Sequence, residues 1–205
     1  MNLFLLNIGT QECVVDLCDK HIVKMILETA QILYSVWHAR AGLPNDETLE
    51  TVPAYRKTHV NHPTCVWARA TSYHYEWTCM YGIIMCKEYT HRYGKVHKTQ
   101  YHLERLYSWG FPPKCLPDPP IKKKSKVWVR ATRGIPAVFD YFPLCMDEDS
   151  YVKDNTGKYN AVMSYRKYYL TKKDKFNMAW KTGEIPKWFQ NFKQPPVQHH
   201  TALLG

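Results

Sequence analysis

The sequence predicts a mainly α protein: a compact helical domain with long central helices, an N-terminal extended arm and irregular proline-rich connections. Apolar residues recur at helical spacing over long stretches. A content of 45% hydrophobic and 14% aromatic residues is typical of a chain with a packed core. The segment FPPKCLPDPP cannot be helical because of its prolines. At 205 residues, we expect a single domain over residues 1–205.

The first half of the chain begins with the apolar segment NLFLLNI, which has the size of a strand or an extended arm. A helical pattern comes next and stops at Gly42 and Pro44. A second long helix is expected to be capped by Asn61 and to end at Gly94, a typical helix-terminating glycine. The three predicted helices cover Val14 to Arg40, His62–Pro63 to Gly94, and Val96 to Trp109.

The second half contains fewer regular elements. Residues 111–133 form a proline-rich arm and a basic segment, which we interpret as an insertion. A fourth helix is predicted over residues 161–176, with Asn155 or Thr156 as its cap. The segment PKWFQNFK is expected to be irregular, and residues 190–205 are expected to form a flexible tail.

The charge of the chain points to a polyanionic partner. Lys and Arg number 28 against 18 acidic residues, for a formal net charge of +10. Such an excess favours nucleic acid or a nucleotide phosphate. Seven cysteines without a CxxC pair indicate reduced thiols and an intracellular location. We expect no secretory signal and no membrane association, because no apolar run is long enough to span a bilayer.

The first predicted helix carries an unusual line of polar residues. At helical spacing, one narrow stripe contains His21, Lys24, Glu28, Gln31, Ser35 and His38, while apolar residues cover most of the rest of the helix. One interpretation is a thin solvated face with a Lys24–Glu28 ion pair. The other is a site in which a partly desolvated Glu28 acts as general acid or base. The pattern alone leaves both interpretations open.

Basic residues interleaved with aromatic ones are typical of surfaces that contact a phosphate backbone and its bases. This pattern occurs in EYTHRYGKVHK, in SYRKYY and in the lysine run after the proline arm. Glu88 and Arg92 are expected to form a surface ion pair. The predicted nucleic-acid-binding residues are Arg69, Tyr73, Arg92, Lys95, His97, Lys98, Lys122, Lys123, Lys124, Lys126 and Arg166.

No pattern in the sequence indicates a metal or a cofactor. The ten histidines lack the spacings of zinc motifs. The chain also has no phosphate-binding glycine loop, no dinucleotide-binding motif and no GxSxG. We therefore expect neither a metal nor a cofactor, which leaves Glu28 as the main candidate for a reactive group.

These segments carry two resemblances. CDKHIVKMILETAQ, NHPTCVWAR and EYTHRYGKVHK resemble recurring blocks of a family of phage and large-DNA-virus proteins, which implies a viral protein acting in the host-cell cytoplasm. More distantly, the chain resembles the pyrimidine-dimer DNA glycosylases of the phage endonuclease V type. Their first helix carries Asp-x-His and, seven residues after the His, the catalytic Glu. Asp19, His21 and Glu28 have this spacing.

The second resemblance implies a compact helical enzyme that flips a damaged base out of DNA, breaks its glycosidic bond and cleaves at the abasic site. The nucleophile of that family is the α-amine of the second residue, which is small and is exposed when the initiator Met is removed. Here Asn2 is bulkier, which favours retention of Met1. Three possibilities remain: the Met1 amine acts, Lys24 acts if it is buried, or Glu28 activates a water molecule.

The sequence thus predicts a DNA-binding glycosylase-type enzyme that cleaves the N-glycosidic bond of a damaged or modified base. An additional AP-lyase activity is one alternative. Its predicted catalytic residues are Glu28, His21, Lys24 and Met1, with His21 orienting Glu28 or a phosphate. The expected partner is double-stranded DNA, and the protein is expected to be a monomer. The alternatives are a glycosidase or transferase for free nucleotides and a non-catalytic viral nucleic-acid-binding protein.

Overall fold

A computed structural model describes residues 2–117, 130–131 (backbone only), 142–181 and 183–191. It confirms the predicted mainly α fold, with eight α-helices and one short pair of strands in the described residues. The helices are α1 Thr10–Val15, α2 Asp19–Arg40, α3 Thr48–Thr51, α4 Pro63–Ala68, α5 Ser72–Tyr93, α6 Gln100–Trp109, α7 Ala161–Leu170 and α8 Lys187–Gln190. Strand β1, Arg130–Ala131, pairs antiparallel with β2, Phe142–Pro143, and a 3-10 helix covers Glu148–Ser150.

The two 22-residue helices α2 and α5 pack against each other at the centre of the fold, and α6 packs against both. Gly82 permits this close approach. A Cβ atom at Gly82 would lie 2.7 Å from Leu103 Cδ2 and 3.1 Å from Thr29 Cγ2, well inside normal contact distance. The apolar sides of α2 and α5 therefore form the core, and only one edge of α2 remains open to solvent.

Two predicted helices are each divided into two in the structure. The first is interrupted at residues 16–18, where the Cys18 backbone N–H donates to the Tyr169 hydroxyl at 2.8 Å. The second is interrupted at residues 69–71, where the Thr71 hydroxyl accepts from the His74 N–H at 3.1 Å and caps α5. Asn61 does not cap α4, because that position belongs to the His62 side chain. The prediction of two continuous helices was wrong because apolar spacing alone does not reveal a cap inside a helical pattern.

The predicted cap of the fourth helix was also wrong. Asn160 caps α7, with its side chain accepting from the Met163 N–H at 3.0 Å. Thr156 instead belongs to a turn built around Asp154, whose carboxylate accepts from the N–H groups of residues 156 and 158. The helix ends at Leu170, six residues earlier than predicted, and is succeeded by a series of turns.

The N-terminal arm is extended and buried, which agrees with the predicted extended arm rather than with a strand. Leu3, Phe4, Leu5 and Leu6 are all buried. Side chains satisfy the arm's backbone, since the described residues provide no neighbouring strand. The Phe4 carbonyl accepts from the Tyr81 hydroxyl at 3.1 Å, and the Leu6 N–H donates to Cys13 Sγ at 3.2 Å. The arm is thus fixed by contacts with several helices.

The described start of the proline-rich arm docks on the end of α2. The N–H groups of Cys115 and Leu116 donate to the Arg40 carbonyl at 2.8 and 2.7 Å. The Arg40 guanidinium in turn lies over the Phe111 ring, 4.3 Å from its centroid. The lysine run at positions 122, 123, 124 and 126 and the tail from residue 192 lie outside the described residues. PKWFQNF, predicted to be irregular, contains the short helix α8.

No helix in the described part of the chain is both long and apolar enough to cross a membrane.

Candidate active site at the end of the N-terminal arm

The candidate site lies where the arm meets the open edge of α2. The backbone nitrogen of Asn2 donates to Glu28 Oε2 at 3.1 Å. The other carboxylate oxygen, Oε1, lies 3.2 Å from the Lys24 ammonium group. The Glu28 side chain is 15% exposed, so the carboxylate is largely shielded and yet reachable from solvent. The structure thus brings together a carboxylate, a nitrogen and a cation.

The Asn2 side chain is anchored by the second half of the chain. Its Nδ2 donates to the Cys145 carbonyl at 3.0 Å, and its Oδ1 accepts from the Leu3 N–H at 2.9 Å. The Tyr165 hydroxyl lies 3.0 Å from Oδ1 and 2.8 Å from the Pro143 carbonyl. Sequence reasoning treated Asn2 only as a bulky residue and did not identify Tyr165. The contacts of Asn2 with Cys145 and Tyr165 join positions 143 and 163 residues apart, and no local pattern predicts them.

His62 is a further site residue that sequence reasoning missed. Its Nδ1 lies 2.7 Å from the Thr64 hydroxyl and accepts from the Thr64 N–H, which caps α4. Burial lowers the pKa of His62 to about 4, and the Glu28 carboxylate acts in the opposite direction. A neutral imidazole therefore lies within electrostatic range of Glu28 at neutral pH. The only local signal was the position of His62 before Pro63, which favours a helix start.

His21 does not orient Glu28. Its Nδ1 lies 2.8 Å from the Tyr169 hydroxyl, and its ring packs between Phe4 and Phe176. Glu28 lies two turns further along α2, about 10 Å away along the helix axis. The described contacts of His21 instead join α2 to the arm and to α7, and its predicted role toward a phosphate stays a prediction.

The buried His21 makes the stability of the fold pH-dependent. Burial, assisted by Lys172 and Lys24, lowers the pKa of His21 from 6.5 to about 4. As the pH falls, the unfolded chain therefore binds a proton at His21 before the folded protein does. The contribution of the neutral imidazole to the free energy of unfolding is complete only above pH 6.5. It should decrease by about 3 kcal/mol between the unfolded and folded pKa values. Urea denaturation across this range should show a shallower pH dependence for His21→Gln, and equal dependences would contradict the assignment.

Asp19 and Arg92 form a buried ion cluster rather than a DNA contact. Arg92 is 2% exposed; its Nε donates to Glu88 at 2.6 Å, and its Nη1 donates to Asp19 at 3.0 Å. It also donates to the carbonyls of Val15 and Leu17. The predicted Glu88–Arg92 pair exists but is buried, not on the surface. With its donors so engaged, Arg92 is a structural residue and not a phosphate ligand.

The two predicted amine nucleophiles have different outcomes. Lys24 is 68% exposed, so the burial on which its nucleophilic role depended is absent. It acts instead as the ion-pair partner of Glu28. Met1 lies outside the described residues. In the described residues, the backbone nitrogen of Asn2 lies against the Glu28 carboxylate.

Six lysines lie on α2 or on two segments that contact the region of its first half, and we refer to them as the lysine face. The positive charges of Lys172 and Lys24 both lower the pKa of the buried His21. The Lys20 ammonium group lies 4.8 Å from the centroid of Phe176, whose ring packs on the His21 imidazole. His97 makes a hydrogen bond to the Val23 backbone, which brings the turn after α5 beside α2. The lysine face consists of Lys20, Lys24, Lys95, Lys98, Lys172 and Lys181.

The remaining predicted DNA ligands are dispersed. Tyr73 is 67% exposed at the start of α5. Arg69 comes directly after α4, so it does not share a helix with Tyr73 as predicted, and its guanidinium donates to the Val60 carbonyl. Arg166 is half-buried: it donates to the Leu6 carbonyl at 2.7 Å and lies over the Trp188 ring. His97 is also half-buried, and burial lowers its pKa. Arg166 therefore fixes the arm, whereas Lys95 and Lys98 remain exposed.

In the parts of the chain that the structure describes, no three His, Cys, Asp or Glu side chains are grouped so that they could hold a metal ion.

The fold and the site together define a class: a mainly α protein whose arm runs between helices and ends against a carboxylate beside a basic surface. Residues 1–101 match the family model described as pyrimidine dimer DNA glycosylase. This match confirms the resemblance that the spacing of Asp19, His21 and Glu28 predicted, over about half of the chain. No curated protein and no solved structure matches the chain.

Proposed function

We propose that this protein is a DNA glycosylase that breaks the N-glycosidic bond of a damaged or modified base, with the nitrogen of residue 2 as nucleophile. The observation that carries the proposal is the 3.1 Å contact between the Asn2 nitrogen and Glu28 Oε2. The match to the pyrimidine dimer DNA glycosylase family over residues 1–101 supports a glycosylase-type reaction on DNA. While Met1 is present this nitrogen is a peptide amide and not a nucleophile, so the proposal requires the removal of Met1, against the retention that the size of Asn2 favours. Removal of Met1 converts the nitrogen into a primary amine.

The proposed chemistry uses the pair of groups at the end of the arm. The amine lone pair attacks C1′ of the flipped nucleotide, and the bond between C1′ and the base breaks as the base leaves with the electron pair. Glu28 accepts a proton from the attacking amine and stabilises the positive charge that develops on the sugar. The C1′–O4′ bond then breaks with its electron pair going to O4′, which takes the proton held by Glu28, while the nitrogen lone pair forms the C=N bond of a protonated imine. Such an imine also permits strand cleavage at the abasic site.

The lysine face supports a duplex rather than a free nucleotide as substrate. It places several cations around α2, on the helix that carries Glu28. Lysines distributed over such a surface contact successive phosphates of a strand, whereas a mononucleotide has room for only one or two of them. Val23 and Leu27 are exposed on α2, the helix that carries Lys20 and Lys24, and offer apolar contact to unstacked bases.

Removing two cations of the lysine face should weaken duplex binding and its salt dependence. We expect Lys20→Ala/Lys95→Ala to lower the slope of log Kd against log salt by about 2, one for each lost phosphate contact. This pair leaves the Lys24–Glu28 contact intact. The matched control is Lys87→Ala/Lys158→Ala, which removes the same charge from exposed positions outside the lysine face. Equal slopes for the two double variants would contradict the proposed surface.

Two preparations that differ only at the N-terminus test the proposed nucleophile. One retains Met1, and the other begins at Asn2 after cleavage of an N-terminal fusion, with intact mass confirming each. Each is mixed with a duplex containing a thymine dimer, an abasic site or no lesion, and reduced with borohydride. We expect an adduct on the Asn2 nitrogen in the form that lacks Met1, and little in the other form. An adduct on Met1 or on a lysine would refute Asn2 as nucleophile, and base release without any adduct would indicate attack by water.

A further inference from the structure

The second half of the chain contributes to the candidate site, although the family match ends at residue 101. Asn2 is held from that half by the Cys145 backbone and by Tyr165 of α7. Cys145 lies two residues after β2, and its N–H is directed at the Tyr165 hydroxyl at 3.4 Å. The segment after β2 and helix α7 thus contact residue 2 from one side.

The contacts fix the orientation of the Asn2 carboxamide. Its nitrogen faces a carbonyl, which only accepts, and its oxygen faces the Leu3 N–H, which only donates. Rotating the carboxamide by half a turn would place its oxygen against the Cys145 carbonyl and its NH2 group against the Leu3 N–H. Acceptor would then face acceptor, and donor would face donor. The Tyr165 hydroxyl adds a contact on the oxygen side, where its one proton is shared between Asn2 Oδ1 at 3.0 Å and the Pro143 carbonyl at 2.8 Å, and Tyr165 itself is fully buried. A short side chain held in this way leaves the backbone nitrogen of the same residue little freedom.

We propose that Tyr165 is a positioning residue, which acts through the Asn2 carboxamide to hold the nitrogen of residue 2 against Glu28. This inference rests on the proposed function, since it assigns how the nucleophile is oriented. A terminal residue is ordinarily frayed, and a nucleophile that fluctuates by about 1 Å loses much of its rate. The anchored carboxamide removes that freedom, which a small apolar side chain at position 2 could not do.

The test compares two buried tyrosines of α7. Tyr165→Phe removes the hydroxyl beside Asn2, whereas Tyr169→Phe removes an equally buried hydroxyl that contacts Cys18 and His21 instead. In the form that begins at Asn2, we expect Tyr165→Phe to slow borohydride trapping about tenfold or more, with duplex Kd unchanged. Tyr169→Phe should trap within about twofold of the parent protein, since a cost in stability alone does not move the nucleophile. Asn2→Ala, which keeps the amine, should match Tyr165→Phe, and the double variant should be no slower than Asn2→Ala.

A second measurement does not depend on turnover. The side-chain amide of Asn2 should give dispersed, slowly exchanging NMR signals that move toward those of a free carboxamide in Tyr165→Phe but not in Tyr169→Phe. Equal trapping by the two tyrosine variants, or unchanged Asn2 signals in Tyr165→Phe, would overturn the positioning role. The parent protein is measured before any variant: no adduct with base release would overturn the nitrogen of residue 2 as nucleophile, and no adduct without base release would overturn the proposed function itself.

Discussion

Replacing Glu28 with glutamine should greatly slow base release and imine trapping while duplex binding persists. Glutamine has nearly the same shape as glutamate, but it neither accepts the amine proton nor stabilises positive charge on the sugar. The Glu28 carboxylate accepts directly from the Asn2 nitrogen at 3.1 Å, so its charge acts at the reacting centre. We expect turnover to fall by about 100-fold to 10,000-fold, the usual contribution of such a group. Single-turnover base release from a lesion-containing duplex measures the effect.

The matched control for this variant is Glu104→Gln, which removes an exposed carboxylate of α6 that contacts Gln100. Both substitutions raise the net charge equally, so any general gain in DNA affinity appears in both. Glu104→Gln should retain full activity. If Glu28→Gln releases base as fast as the parent protein, the carboxylate is not part of the mechanism, and the proposed active site is wrong.

Replacing Arg92 with methionine should destabilise the fold more than any surface substitution. The side chain is 2% exposed and holds Asp19, Glu88 and two backbone carbonyls at the junction of α1 and α2. Methionine fills similar space but leaves two carboxylates facing each other without a cation. Removing one partner of a buried ion pair costs about 3–5 kcal/mol in the free energy of unfolding. Chemical denaturation monitored by circular dichroism checks this value.

Arg56→Met is the control, since Arg56 is exposed and its loss should change stability by less than about 0.5 kcal/mol. Adding Glu88→Leu to Arg92→Met should recover part of the lost stability, because one uncompensated carboxylate is removed. If Arg92→Met instead proves as stable as the parent and only weakens DNA binding, Arg92 is a phosphate ligand after all. The two roles therefore give opposite results in the same pair of measurements.

Sequence patterns predicted the site contacts between residues that are close along the chain, but not those between distant residues. Glu28 and Lys24 lie one turn apart on a single helix, so their pairing is a consequence of helical geometry alone. The anchoring of Asn2 by Cys145 and Tyr165 spans 143 and 163 residues. Burial likewise determined the roles of Arg92 and His21. A basic or aromatic pattern looks the same whether its side chains reach solvent or a neighbouring helix.

The sequence by itself determined the helical class of this protein, the apolar arm, the polar line on α2 and the spacing that indicates a relation to the pyrimidine dimer DNA glycosylases. These features depend on residues close together in the chain, whose geometry the helix repeat dictates. Only the tertiary structure decided that the arm ends at Glu28, that Arg92 is a buried clamp and that α7 supports residue 2. Those outcomes depend on which surfaces pack together, and packing is a property of the whole chain rather than of any segment.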